Sequence, residues 1–142
     1  LITKVADSVD NLKIPEELKR ILGENTTIGV HAFSGNGPFI LLSVESYPQA
    51  FNSMLVWEKT IFDELYQILD IDVSNGKSYF FDSRFKDKTI QNQDTRSIVD
   101  DKNKPVLFYT FLGEYKNLLL ITTKESTLKE ILNRLNSAKI KK

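Results

Sequence analysis

The sequence predicts one soluble α+β domain, an antiparallel sheet of about five to six strands packed against a long central helix and a C-terminal helix. Three observations support this prediction. A long segment in the middle of the chain spaces its apolar residues as an amphipathic helix does, several β-rich runs follow it, and a second amphipathic segment closes the chain. Because no linker or repeat divides the sequence, we expect one domain over residues 1–142, with a lead-in at 1–12 and a frayed tail at 138–142.

The N-terminal part of the chain predicts a short helix followed by a hairpin. Residues 1–9 suit either a short strand or an extended lead-in. Residues 14–23 predict a helix, because a proline stands near the start, acids fill the first turn and a glycine ends it. The β-rich runs 26–33 and 38–45 are joined by glycines and an asparagine that permit a tight connection.

Residues 48–69 predict the long central helix. Pro48 suits the first helical position, because its φ is already helical and its missing N–H would be unpaired there. A step of about 100° per residue places a broad apolar arc on one side of the helix. The arc consists of Ala50, Phe51, Met54, Leu55, Trp57, Ile61, Phe62, Leu65, Ile68 and Leu69.

Glu58 lies near the middle of this apolar arc, where an unpaired carboxylate would be costly. We expect it to pair with a cation from the sheet, Arg96 or Arg84, or to lie where the arc reaches solvent. The functional alternative is a general acid in a cleft. Trp57 has the size for the seam between helix and sheet. Glu58, Arg96, Arg84 and Trp57 are therefore the candidates for structural pairing.

The second half of the chain predicts an antiparallel meander and a final helix. Strands are expected at 77–82, 88–99, 106–112 and 117–123, with polar turns between the later ones. The most polar of them, 88–99, suits an edge, and the apolar 117–123 suits the interior. Residues 124–136 predict a helix that begins with the capping pattern Thr122-x-x-Glu125.

Composition narrows the classes of function. Lys plus Arg and Asp plus Glu each number 19, so the formal net charge is zero and nucleic acid is not an expected partner. The absence of cysteine excludes disulfides and thiolate metal sites. No run reaches the roughly 18 apolar residues of a membrane span. Because the chain starts at Leu1 and not at methionine, we expect any membrane contact through an upstream segment.

The sequence contains no convincing reactive constellation. His31 is the only histidine, which leaves no helical zinc pair, and its strand position suits a half-exposed sheet face. Residues 34–37 lack the Lys-Ser/Thr ending of a phosphate loop. Residues 70–76 resemble the start of a calcium loop, but Phe81 stands where the bidentate glutamate belongs. No catalytic, cofactor-binding or metal-binding residue is predicted.

Several short motifs are spread over residues 26–135. They are Met54-x-x-Trp57-Glu58, Asn92-x-Asp94-x-Arg96, Tyr109-x-Phe111 and Ile121-Thr122, followed by Leu128-x-Glu130-Ile131-x-x-Arg134-Leu135. Together these motifs resemble a family of uncharacterised proteins encoded by uncultured candidate-phylum (Patescibacteria-like) bacteria. The resemblance implies an extracytoplasmic domain behind one N-terminal membrane anchor, with no assigned activity.

Two functions are compatible with these observations. The first is a non-catalytic extracytoplasmic module that binds or scaffolds an unknown protein or another cell-envelope component, tethered to the cell membrane and without a cofactor. The second is a hydrolytic enzyme that uses Glu58 or His31 with nearby carboxylates. A cytoplasmic location is the alternative to the extracytoplasmic one.

Overall fold

The computed structural model describes residues 2–6, 14–31, 37–69, 71 and 84–140. These residues form seven strands and four helices. In chain order they are β1 (Ile2–Ala6), α1 (Glu16–Lys19), β2 (Leu22–His31), β3 (Gly37–Val44), α2 (Tyr47–Trp57), α3 (Ile61–Leu65), β4 (Lys86–Ile90), β5 (Gln93–Val99), β6 (Pro105–Leu112), β7 (Leu118–Thr122) and α4 (Glu125–Ile140).

The strands form one sheet in the order β1-β2-β3-β7-β6-β5-β4, and every neighbouring pair is antiparallel. The α+β class, the antiparallel sheet and the C-terminal helix are therefore confirmed. β7 lies between β3 and β6, and Ile121 pairs with Ile40 on one side and Tyr109 on the other. Its nearly unbroken apolar sequence follows from this interior place, because both of its faces are covered.

The sheet is covered on both faces. One face packs against α1, α2 and α3, and the other packs against α4. Because successive side chains of a strand point to opposite faces, β3, β6 and β7 supply apolar residues to both cores. The first core includes Ile40, Leu42, Tyr109, Leu119, Ile121, Leu18, Met54, Trp57, Ile61 and Leu65. The second includes Phe39, Phe108, Leu112, Leu120, Leu128 and Ile131.

The predicted continuous helix over 48–69 is instead two helices, α2 and α3, separated by a turn at residues 58–60. Ser46 caps α2 by accepting a hydrogen bond from the backbone N–H of Gln49 at 3.4 Å. At the other end, the N–H groups of Lys59 and Thr60 donate to carbonyls three residues earlier, and Thr60 leaves the helical region with φ −129°. This tightening ends α2 and redirects the chain.

The buried side of the two helices is narrower than the predicted apolar arc. Met54, Trp57, Ile61 and Leu65 are buried, whereas Leu55 and Ile68, predicted to lie in the same arc, are 38% and 42% exposed. Leu55 lies within α2 at about 100° from Met54, so it is at the edge of the arc and faces away from the core. Ile68 follows the break, where the chain no longer continues the direction of α2.

The predicted strand over 88–99 is in fact a hairpin of β4 and β5. The chain reverses at Gln91 and Asn92, whose φ angles are +52° and +60°. Two consecutive residues with positive φ make the primed two-residue turn that fits the twist of antiparallel strands. At this tip, Gln91 Nε2 donates to Glu125 Oε1 of α4 at 3.3 Å. β4 is the last strand of the described sheet, in agreement with its polar sequence.

Other element boundaries also differ from the prediction. Of the two alternatives for residues 1–9, the structure has the short strand, at residues 2–6. The first helix is shorter than 14–23, and β2 begins at Leu22. Residues 138–140 continue α4 where a frayed tail was expected. The predicted strand 77–82 and most of the loop 70–76 lie outside the described residues.

Gly37 begins β3 and lies directly beneath α4. A Cβ at this position would collide with the Oγ1 atom of Thr127, which is buried. Only glycine allows the strand and the helix to approach so closely here. Among the described helices, none is both long and apolar enough to cross a membrane.

Candidate functional site

A cavity of about 490 Å³ opens beside α2, on the face of the sheet that carries α1–α3. We call it the α2–β4 groove. Its wall is formed by Tyr47 and Phe51 of α2, and the strands β4, β5 and β6 form its floor and outer rim. The strand residues that line it are Asp87, Lys88, Thr89, Asp94, Thr95, Arg96, Tyr109, Thr110 and Phe111.

Strand register arranges the floor of the groove. Asp87 pairs with Arg96 across β4 and β5, and Arg96 pairs with Tyr109 across β5 and β6. Residues directly opposite each other in an antiparallel pair point to the same face. The three side chains therefore form one row across the sheet, and Glu58 meets this row from the C-terminal end of α2.

Glu58 and Arg96 form a two-pronged ion pair at this row. Arg96 Nε donates to Glu58 Oε2 at 2.8 Å, and Nη2 donates to Oε1 at 2.7 Å. The Tyr109 hydroxyl donates to the same Oε2 at 2.5 Å, and Arg96 Nη1 donates to Asp87 Oδ1 at 3.1 Å. The Arg96 and Glu58 side chains are only 22% and 11% exposed. Such paired, nearly parallel hydrogen bonds fix the orientation of both groups.

The electrostatics of the row follow from these contacts. The hydrogen bond to Glu58 raises the pKa of Arg96 further above its usual range, against the lowering effect of burial. Burial raises the pKa of the Tyr109 phenol well above its ordinary value, and the hydrogen bond to Glu58 adds to this shift. Both groups therefore keep their protons in the folded protein at neutral pH.

We expect Tyr109→Phe to lower the free energy of unfolding by about 1.5–3 kcal/mol at pH 7, because Glu58 loses a donor. The difference in free energy of unfolding between wild type and Tyr109→Phe should become smaller above about pH 10. There the unfolded wild-type chain releases the phenol proton while the folded chain retains it, so wild-type stability falls with rising pH. Urea denaturation of both proteins between pH 8 and 11 measures the difference, and a constant difference would contradict the raised pKa.

Aromatic rings form the apolar part of the groove. Phe111 meets Tyr47 at 5.0 Å, Phe51 at 6.2 Å and Tyr109 at 6.3 Å between centroids, with interplanar angles of 78°, 73° and 87°. These edge-to-face contacts are the favourable geometry for aromatic side chains. The ammonium of Lys116 lies 5.0 Å from the centre of the Tyr47 ring, in a cation–π contact.

The four residues singled out from the sequence have different positions. Glu58 and Arg96 come together at the groove. Trp57 is buried beneath α2, and its Nε1 donates to Glu64 Oε2 at 2.5 Å. Arg84 is exposed, and the partner of Glu58 is Arg96. Of the two cations predicted to pair with Glu58, Arg96 is therefore the one that does so.

Sequence reasoning missed Tyr109 and Asp87. Tyr109 stands in the sequence only as part of the Tyr109-x-Phe111 motif, with no role assigned to its hydroxyl, and its side chain is buried at 1% exposure. A signal was present in its chemistry, because a buried tyrosine hydroxyl needs a hydrogen-bond partner and Glu58 needed a donor. Asp87 could not be found, because its place depends on the hairpin register.

The arrangement offers little for acid–base chemistry. The two oxygens of Glu58 already accept three hydrogen bonds, so a substrate would have to displace one of them. Among the described residues, no three His, Cys, Asp or Glu side chains converge as metal ligands. The backbone of His31 lies in β2, with β3, β7 and β6 between it and β5. At about 4.8 Å per strand, this is about 19 Å from the strand of Arg96.

Comparison with known proteins gives no relative from which a role could be transferred. No family model, curated protein or solved structure matches this chain. The α2–β4 groove and its contacts are therefore the basis of the functional inference.

Proposed function

We propose that this domain is a non-catalytic binding module whose binding site is the α2–β4 groove. The observation that carries the proposal is the combination of an open, aromatic-walled groove with a floor whose central charges, Glu58 and Arg96, satisfy each other. Ligand sites are typically concave and combine an apolar surface with fixed polar groups. Here the apolar surface is confined to the aromatic wall, and the strand side of the groove is mostly polar. Glu58 and Arg96 are such fixed polar groups, and because they bind each other neither is free to react with a substrate.

The partner that we propose is a protein or another component of the cell envelope, and the location is extracytoplasmic behind a membrane tether. This part rests on the resemblance of the motifs around Trp57, Arg96 and Tyr109 to anchored extracytoplasmic proteins. In that setting a small domain without its own reaction would act by holding another component close to the membrane surface.

Site-specific photocross-linking in cells tests the binding site. A photoreactive residue is placed at Thr89 on the rim of the groove, and a matched one at Lys129, which is exposed on α4 and therefore on the opposite face. We expect a discrete cross-linked product in the envelope fraction from position 89 only, and wild-type domain produced in excess in the same cells should reduce it. Identical products from both positions, or none from position 89, would contradict the proposal.

A further inference from the structure

The geometry points to an extended peptide segment of a partner protein as the occupant of the α2–β4 groove. The segment adds to the sheet as a strand beside β4 and places a basic side chain against Asp87. This inference rests on the proposed binding function and specifies its ligand. Three independent features carry it: the backbone of β4, the charges of the groove, and the aromatic wall.

The first feature is the direction of the backbone groups of β4. The two-residue turn at Gln91 and Asn92 makes Ile90 and Gln93 a hydrogen-bonded pair. Because hydrogen-bonded and non-hydrogen-bonded pairs alternate along the hairpin, Asp87 and Thr89 direct their N–H and C=O groups away from β5. β4 is the outermost strand at this end of the described sheet. These groups are therefore positioned to pair with an added strand.

The second feature is the sign of the charge beside that edge. Asp87 and Thr89 pair with Arg96 and Asp94, so all four side chains belong to the groove face. The Asp87 side chain is 89% exposed, and Asp94 is also exposed. With Glu58 included, three carboxylates accompany the Arg96 guanidinium and the Lys116 ammonium over Tyr47, so the groove has a small excess of negative charge although the whole chain has zero net charge.

The negative charge of Asp87 favours a basic residue at the position of an added strand that lies directly opposite it. Opposite charges directly across two strands attract, and like charges repel. Lys88 also borders the cavity, but it alternates with Asp87 and Thr89 and pairs with Thr95, so it belongs to the other face. A strand with basic residues on the groove side and polar residues on the other side is therefore complementary to β4.

The third feature is the aromatic wall formed by Tyr47, Phe51 and Phe111. Lysine and arginine have apolar stems that pack on such surfaces while the charged end reaches carboxylates or ring faces. Lys116 already lies over Tyr47 in this way, at 5.0 Å. An added strand lies about 4.8 Å outside β4, so a side chain that it directs into the groove passes Asp87 or Thr89 first and brings its charged end toward Asp94 of β5 and the wall beyond. The wall therefore suits the charged end of a basic side chain, because aromatic ring faces attract cations.

Titration of the ¹⁵N-labelled domain with defined peptides tests the inference. The probe is an acetylated and amidated hexapeptide that alternates threonine and lysine, and its comparison peptide replaces each lysine by glutamate. We expect the lysine peptide to shift the amide resonances of Lys86–Ile90, and the glutamate peptide to bind at least about tenfold more weakly. Alternate amides of an added strand point toward β4 or away from it. N-methylation of the set that points toward β4 should weaken binding by a similar factor, and methylation of the other set should not.

Two substitutions examine the same interface from the protein side. Thr89→Pro removes an N–H that β5 does not use, at an edge strand, where proline is tolerated although it fixes φ. The melting temperature should therefore change by no more than about 3 °C while peptide binding weakens at least about tenfold. Asp87→Asn should weaken binding of the lysine peptide, and Asp101→Asn in an exposed turn is the matched control that should not.

The inference is wrong if lysine and glutamate peptides bind equally, or if neither set of N-methyl groups matters. It is also wrong if N-acetyl-lysine amide alone binds as tightly as the hexapeptide, which would indicate a site for small cations. Failure of every peptide together with persistent cross-linking from position 89 would overturn this ligand class and leave the proposed binding function standing. Loss of that cross-linking would overturn both.

Discussion

Replacing Trp57 by alanine is expected to lower the free energy of unfolding by about 3–5 kcal/mol. The side chain is 2% exposed and belongs to the core shared by α2, α3 and the sheet. Its Nε1 donates to Glu64 Oε2 at 2.5 Å, so it also joins α2 to α3 across the turn at residues 58–60. The alanine variant loses buried area, leaves a cavity and removes a donor from Glu64. Urea denaturation followed by circular dichroism measures the effect, since this is the only tryptophan available for fluorescence.

Two further substitutions separate the contributions of Trp57. Trp57→Phe keeps much of the ring volume and removes the hydrogen bond, so we expect a smaller loss that exceeds about 1 kcal/mol. Val56→Ala changes the neighbouring residue, which is 57% exposed, and should alter stability by no more than about 0.5 kcal/mol. Equal effects of Trp57→Ala and Val56→Ala would show that the tryptophan is not a core residue.

The sequence predicts the sheet and α4 well because their apolar patterns are strong and local. β3 and β7 have apolar residues at nearly every position, which only an interior strand tolerates. The break after α2 is different, because nothing in residues 58–60 is a strong helix breaker. At the break, Lys59 and Thr60 make i−3 hydrogen bonds, and α2 and α3 both contribute side chains to the same core.

The turn between β4 and β5 shows a second limit. Gln91 and Asn92 both adopt positive φ without a glycine, so the usual sequence signal of a two-residue hairpin is absent. Missing this turn also hides Asp87, because only the hairpin register brings it opposite Arg96. The Glu58–Arg96 pair could be inferred, because an acid within an apolar helix face has to find a cation. Its remaining partners depend on tertiary structure.

Glu58 and Arg96 should show strong energetic coupling in a double-mutant cycle. We expect Glu58→Gln and Arg96→Met each to lower the free energy of unfolding by about 2–4 kcal/mol, because each removes the nearest counter-charge of a mostly buried group. In Glu58→Gln, Arg96 retains only its ion pair with the exposed Asp87. The double variant should lose less than the sum, with a coupling energy of about 1–3 kcal/mol from urea denaturation at pH 7.

The exposed pair Glu130–Arg134 on α4 is the matched control for this cycle. It has one N–O contact of 3.1 Å on the surface of one helix, where the groove pair has two contacts of 2.8 and 2.7 Å, and we expect a coupling of only about 0.3–0.5 kcal/mol. A larger coupling in the groove would show that burial, the paired geometry and the second donor, Tyr109, together set its strength. A coupling no larger than that of the control, or an unchanged melting temperature for Glu58→Gln, would contradict this account. Because the same pair forms the floor of the α2–β4 groove, its rigidity is also what would keep the charges beside β4 in place for a ligand.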